Sequence, residues 1–184
     1  IAGADTQHAL FKTVPEGTYS GDDPDLKPVE MVDWFKGDIQ DFWGKGEIAI
    51  VTDVKTGKSF RARRWSGGNH ADVEPLTAED TKVMCAIYGV TRAQDIADQD
   101  LYQRHPLWVT VTKNGVTRTF AASMYGEPHN YPAGDTIPDN DFNGQFCIHF
   151  VNSMTHGDEK NPAHVDKDHQ NAIQSAYDAY WKKK

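Results

Sequence analysis

The dipeptide Asn114-Gly115 lies between two alternating stretches, WVTVTK and VTRTFAASMY, within Leu107 to Tyr125. Asn and Gly both tolerate the positive φ that a tight two-residue turn requires, so this segment predicts an antiparallel hairpin. A second hairpin is expected over Glu47 to Arg64, where EIAIVTDV and SFRARRW flank a turn at Lys55-Thr56-Gly57-Lys58. There Ile48, Ile50 and Thr52 alternate with Ala49, Val51 and Asp53, as in a half-buried strand. A further strand is expected from Gln145 to Asn152, with Phe146, Ile148 and Phe150 on one face and Cys147, His149 and Val151 on the other.

Helical signals fall between and after these strands. Bulky apolar residues from Val29 to Trp43 fit a helix over Glu30 to Trp43, ended by Gly44 and Gly46. Thr77, with Asp80 three residues on, opens a second helix that stops at Gly89. Ala172, Ile173, Ala176, Tyr177, Tyr180 and Trp181 recur at helical spacing in a third that begins near Asp166. Thr91 to His105 reads as a loop or an irregular helical turn, and Gly126 to Gly144 as a long connection of the kind that carries function. Residues 1–27, rich in Gly, Asp, Thr and Pro, read as an irregular arm before one domain over residues 28–184. The fold class is therefore α+β, a mostly antiparallel sheet of two hairpins and a further strand with about three helices.

A formal net charge of -8 argues against nucleic acid or an anionic membrane as the main partner. No run approaches the roughly 18 apolar residues of a membrane span, and no signal peptide is recognisable in these residues. Cys85 and Cys147 leave three uses open: one disulfide, metal binding, or two buried thiols.

Two constellations carry candidate chemistry. In Asn69-His70-Ala71-Asp72-Val73-Glu74, an extended backbone sets His70, Asp72 and Glu74 on one face, where they can bind a divalent metal or form a base with its orienting partner. In NGQFCIHFVNSMTHG, Cys147 and His149 share a face and His156 follows. If the two meet, His70, Asp72 and His149 are the first-choice zinc ligands, with Glu74, Cys147 and His156 as the catalytic set. In an alternative, Cys147 is the nucleophile of a thiol acyltransferase or hydrolase. His149 is then too far along the strand to activate it, so His70, His129 or His156 is the better partner. A third reading is a non-catalytic module in which Trp65, Tyr125, Tyr131 and Phe142 line a groove for glycan or peptide.

The segments GGNHADVEPLTAEDT, AASMYGEPH, GQFCIHFVNSMTHG and DKDHQNAI resemble a family of secreted bacterial domains with no assigned reaction, some of them found beside cell-surface stalk modules of the copper amine oxidase N-terminal type. The resemblance spans roughly Val32 to Tyr180. It implies a secreted or extracytoplasmic setting at the cell envelope, with wall peptide or glycan as partner and no insertion into the membrane. The L,D-transpeptidase motif Ser-His-Gly-Cys-Ile-Arg is not reproduced, because no His-Gly precedes Cys147. Nor is the His-to-Asp spacing of zinc D,D-peptidases, because Thr77 stands seven residues beyond His70. The expectation is a zinc-assisted hydrolase of peptide or amide bonds in an envelope polymer.

Overall fold

A computed structural model describes residues 28–97 and 103–182, so the expected N-terminal arm and the last two lysines lie outside the described residues. In chain order the elements are β1 (Val29–Glu30), α1 (Ile39–Phe42), β2 (Ile48–Asp53), β3 (Ser59–Ser66), β4 (Ala71–Pro75), α2 (Ala78–Tyr88), a 3-10 turn (Ala93–Ala97), β5 (His105–Lys113), β6 (Val116–His129), β7 (Gln145–His149) and α3 (Lys167–Trp181). Both hairpins form, β2 with β3 and β5 with β6. Asn114 and Gly115 have φ of 50° and 77°, the pair of positive values that joins two right-twisted strands. Thr77 caps α2 by accepting from Asp80 N, and Gly89 ends it in the left-handed region. Asp166 caps α3 by accepting from Asp168 N and His169 N.

The α+β class holds, but the sheet is more than a set of hairpins. β7 is hydrogen-bonded on both edges, to β4 and to β6, and this closes β2 to β7 into a six-stranded barrel with β1 outside it. The 14 residues of β6 make this possible. One edge pairs with β5 along its first part, while the other is shared between β1 near Thr119 and β7 from Ser123 onward.

The helix expected over Glu30 to Trp43 is instead strand β1, a turn and the single-turn helix α1. Asp33 Oδ1 accepts from the backbone N–H groups of Phe35 and Lys36, which gives this stretch a local alternative to helix. Its apolar residues also serve two separate cores. Trp34, Ile39 and Trp43 join the main cluster, whereas Val29 joins Trp108, Ala121, Ile173, Ala176 and Tyr180 beneath α3.

The alternation of β7 resolves as expected. Phe146 and Ile148 join the barrel's main core, while Cys147 and His149 face outward. α3 covers part of that outer surface, with Trp108 Nε1 donating to the Ala176 carbonyl at 2.9 Å. The rest of that surface, at β4, β7 and the end of β6, carries the site.

Arg64 ties this surface to the turn that precedes β4. Its side chain is buried, stacks 4.8 Å over the Trp34 ring, and donates to the carbonyls of Gln40, Trp43, Ser66 and Gly67. Burial lowers its pKa, but from a starting value high enough that it remains a cation. Replacing Arg64 by Leu leaves four carbonyls without this donor, and the expected cost is about 3 kcal/mol or more. Urea unfolding of Arg64→Leu beside the parent checks this; a loss under about 1 kcal/mol would show that water replaces the guanidinium at little cost.

Candidate metal centre

The site begins with strand register. β4 and β7 run antiparallel with Asp72 directly opposite Cys147, and on the other side of β7 Cys147 is opposite Tyr125 of β6. His70 precedes Asp72 by two positions and so shares its face. The segment NHADVE therefore does fold against the outward face of NGQFCIHFVNSMTHG.

Three imidazoles surround the thiol. Cys147 Sγ lies 3.2 Å from His70 Nε2, 3.4 Å from His129 Nε2 and 3.5 Å from His156 Nε2. His156 Nε2 is itself 3.2 Å from both His70 Nε2 and His129 Nε2. Asp72 Oδ1 sits 3.2 Å from His70 Nε2 and 3.9 Å from His156 Nε2. Zinc binds imidazole nitrogen at about 2.0–2.1 Å and thiolate at about 2.3 Å, which in a tetrahedron puts nitrogens about 3.3 Å apart and nitrogen about 3.6 Å from sulfur. The two nitrogen–nitrogen distances of 3.2 Å and the nitrogen–sulfur distances of 3.2, 3.4 and 3.5 Å lie close to these values. His70, Asp72, Cys147 and His156 could hold a metal ion, and their ligand atoms all lie within 4.8 Å of one another.

Backbone carbonyls set the tautomers. His70 Nδ1 is 2.6 Å from the Met154 carbonyl and His129 Nδ1 is 2.8 Å from the Glu127 carbonyl. A carbonyl can only accept, so in each neutral ring Nδ1 holds the proton and Nε2 presents its lone pair to the centre. Protons on Cys147 and His156 can satisfy those two nitrogens. Asp72 Oδ1 is then left over, a buried carboxylate oxygen with no hydrogen-bond partner. Burial pushes the Cys147 thiol well above its usual pKa, with Asp72 adding to the shift. Burial also lowers His156, helped by His70 and His129 and opposed by Asp72. Burial thus favours the neutral thiol of Cys147 and the neutral ring of His156 beside a carboxylate oxygen that has no donor.

Two glycines permit this backbone. Gly67 has φ +108°, and a Cβ there would fall 1.9 Å from the His70 carbonyl oxygen; Gly144 has φ +98°, and its Cβ would fall 2.1 Å from that of His129. The first glycine lets the turn before β4 fold back onto His70. The second lets the chain entering β7 pass beside His129, which a register shift in β6 between Tyr125 and His129 carries to the centre. The His70 turn is also stapled to the loop bearing His156: Met154 N donates to the Asn69 carbonyl and Asn69 Nδ2 to that of Thr155. A cleft of about 230 Å³, lined by Gly68, Asn69, His70, Asp72 and His156, opens on one side.

Of the residues expected from sequence, His70, Asp72, Cys147 and His156 meet, and two do not join them. His149 stands outside this cluster: it is buried between the His70 ring, at 4.6 Å, and the His169 ring of α3, stacked at 3.7 Å, and its Nδ1 has no hydrogen-bond partner. Glu74 lies on the same strand face, but it is fully buried and accepts from Thr136 N, Thr136 Oγ1, Ile137 N and Arg63. It anchors the 130–144 connection rather than meeting the thiol and the three rings. His129, expected only as a partner for the thiol, also reaches the cluster, and Cys147 and His156, expected in the catalytic set, lie where ligands would. Cys85 and Cys147 are both free, with Cys85 in the main core and Cys147 on the outer face, so no disulfide forms. Of the aromatics expected in a groove, Phe142 is core, Tyr131 is exposed, and Tyr125 lies under Arg104.

Compared with known proteins, the chain matches no family model, no curated protein and no solved structure.

His169 gives the cluster's surroundings a pH signature. Burial first, then Arg104 and His70, push its pKa down to about 2, and its Nδ1 is 2.8 Å from Ser123 Oγ. In the unfolded chain a histidine titrates near 6.5, so below that pH the unfolded state binds a proton that the native state does not. The stability this neutral ring contributes is complete above about pH 6.5 and falls by about 1.4 kcal/mol per pH unit on acidification toward pH 2. In chelator-treated protein, urea unfolding between about pH 6 and 4.5 should show a slope shallower by that amount in His169→Asn. Equal slopes would mean that His169 takes up its proton while folded.

Proposed function

We propose that this domain is a metal-dependent hydrolase, with zinc held by His70, His129, Cys147 and His156 and with Asp72 as the general base. The observation that carries the reading is the convergence of three Nε2 atoms within 3.5 Å of one Sγ, two of them 3.2 Å from His156 Nε2, beside a buried Asp72 oxygen that has no donor. A site of imidazole and thiolate donors suits zinc, which takes N and S ligands without redox chemistry. A bound zinc ion would supply Lewis acidity toward a carbonyl oxygen and lower the pKa of water toward about 7. Asp72, which lines the cleft, would take the proton from water attacking that carbonyl. The cleft is small, which suits one peptide or amide bond and its immediate flank rather than an enclosed ligand. With the envelope setting that the family resemblance implies, the substrate class is a peptide or amide linkage in a cell-envelope polymer. No described helix is long and apolar enough to cross a membrane.

A second reading has one observation in its favour. Three imidazole nitrogens within 3.5 Å of Cys147 Sγ could activate it as the nucleophile of a transpeptidase-type acyl transfer. Against it, the residue is only 2% exposed and burial raises its pKa, so the thiolate is scarce and hard to reach.

Elemental analysis of protein purified without added metal should give about one zinc per chain, with His70→Ala and Cys147→Ser each losing it and with amide hydrolysis abolished by chelator and restored by zinc. Absence of bound metal, combined with rapid iodoacetamide labelling of Cys147 near neutral pH, would replace this reading with the nucleophile.

A further inference from the structure

The four ligands of the proposed centre are not equivalent. Cys147 is fixed within β7, paired on both edges and buried. His70 is buried and its Nδ1 is held by the Met154 carbonyl at 2.6 Å. His129 ends β6 and its Nδ1 is held by the Glu127 carbonyl at 2.8 Å. Each of these three is thus held in place by the backbone around it.

His156 has no such support. It lies in the loop between β7 and α3, and its side chain is 58% exposed. Its ring contacts run through Nε2 to His70, His129 and Cys147, and among the described residues Nδ1 makes no hydrogen bond. The loop is tied on either side of it, by the bridge between Met154 and Val165, by Thr155 N donating to the His164 carbonyl, and by Asp158 Oδ1 accepting from Lys160 N and Asn161 N. The ring can thus turn about its own side-chain torsions without unfolding the loop. The cleft runs directly along it and along Asp72.

We infer that His156 is an exchangeable fourth ligand: it closes the coordination shell at rest and yields its place to the substrate carbonyl or to water entering from the cleft. This rests on the metal reading above and deepens it. It explains how four protein ligands, the usual number for a structural zinc site, coexist with an open cleft and a base at the rim. No covalent bond forms or breaks in the exchange. One lone pair, from His156 Nε2, leaves the metal and one oxygen lone pair replaces it. Asp72, 3.9 Å from His156 Nε2, can accept the proton of the incoming water.

Cobalt(II) substitution reads the exchange without relying on turnover. Parent, His156→Ala, His129→Ala and His70→Ala proteins are titrated with cobalt(II), and the thiolate-to-cobalt absorption and ligand-field bands are followed. His156→Ala should bind one cobalt with affinity within about tenfold of the parent, while His70→Ala and His129→Ala lose about a hundredfold or more. Azide should bind the cobalt of His156→Ala at least about tenfold more tightly than that of the parent, and free imidazole should restore the parent spectrum. Loss of cobalt from His156→Ala equal to that from His70→Ala, or azide affinity unchanged from the parent, overturns the exchange and leaves the metal centre standing. A parent protein that binds no cobalt and no zinc overturns both.

Discussion

The register of β4 against β7 is the constraint on which the rest depends. Because Asp72 faces Cys147 across that ladder, a carboxylate and a thiol are held side by side on the outer face of a closed barrel, and His70 is delivered to the same face two residues earlier. A one-residue slip would turn Cys147 inward and send Phe146 and Ile148, both fully buried, toward the site. The apolar cost of that slip is what secures the polar face. Burying a Phe and an Ile side chain is worth about 2–3 kcal/mol each, well beyond any single hydrogen bond in the cluster.

Around that ladder the fold concentrates lone pairs and supplies few protons. Met154 and Glu127 carbonyls take the Nδ1 protons of His70 and His129, so both rings aim acceptors inward. Asp72 Oδ1 is buried among them without a donor. Inside a protein such an arrangement is costly unless a cation completes it. The neighbouring rings of His149 and His169 are kept neutral by burial and form a stacked wall behind His70.

Much of this was legible in the chain wherever the signal was local. Asn114-Gly115, the Thr77 cap with Gly89, and the alternation of β7 each depend on a few adjacent residues, and each reads correctly. So does the meeting of His70 and Asp72 with the Cys147 face. What escaped depends on contacts between distant segments. Closure of the barrel requires β7 to be paired on both edges, which alternation cannot report. His129 reaches the centre through a register shift in β6 and a close backbone pass at Gly144, neither of which has a spacing signature. His149 and Glu74 have the faces that period-two reasoning assigns, but α3 covers the first and the 130–144 connection occupies the second.

X-ray absorption at the zinc edge of the metal-loaded protein tests the central claim most directly, because it counts the donors by type. The account predicts a first shell of one sulfur at about 2.3 Å and three imidazole nitrogens at about 2.0–2.1 Å, with the sulfur lost in Cys147→Ser. A shell of nitrogen and oxygen alone, unchanged by that substitution, would contradict it.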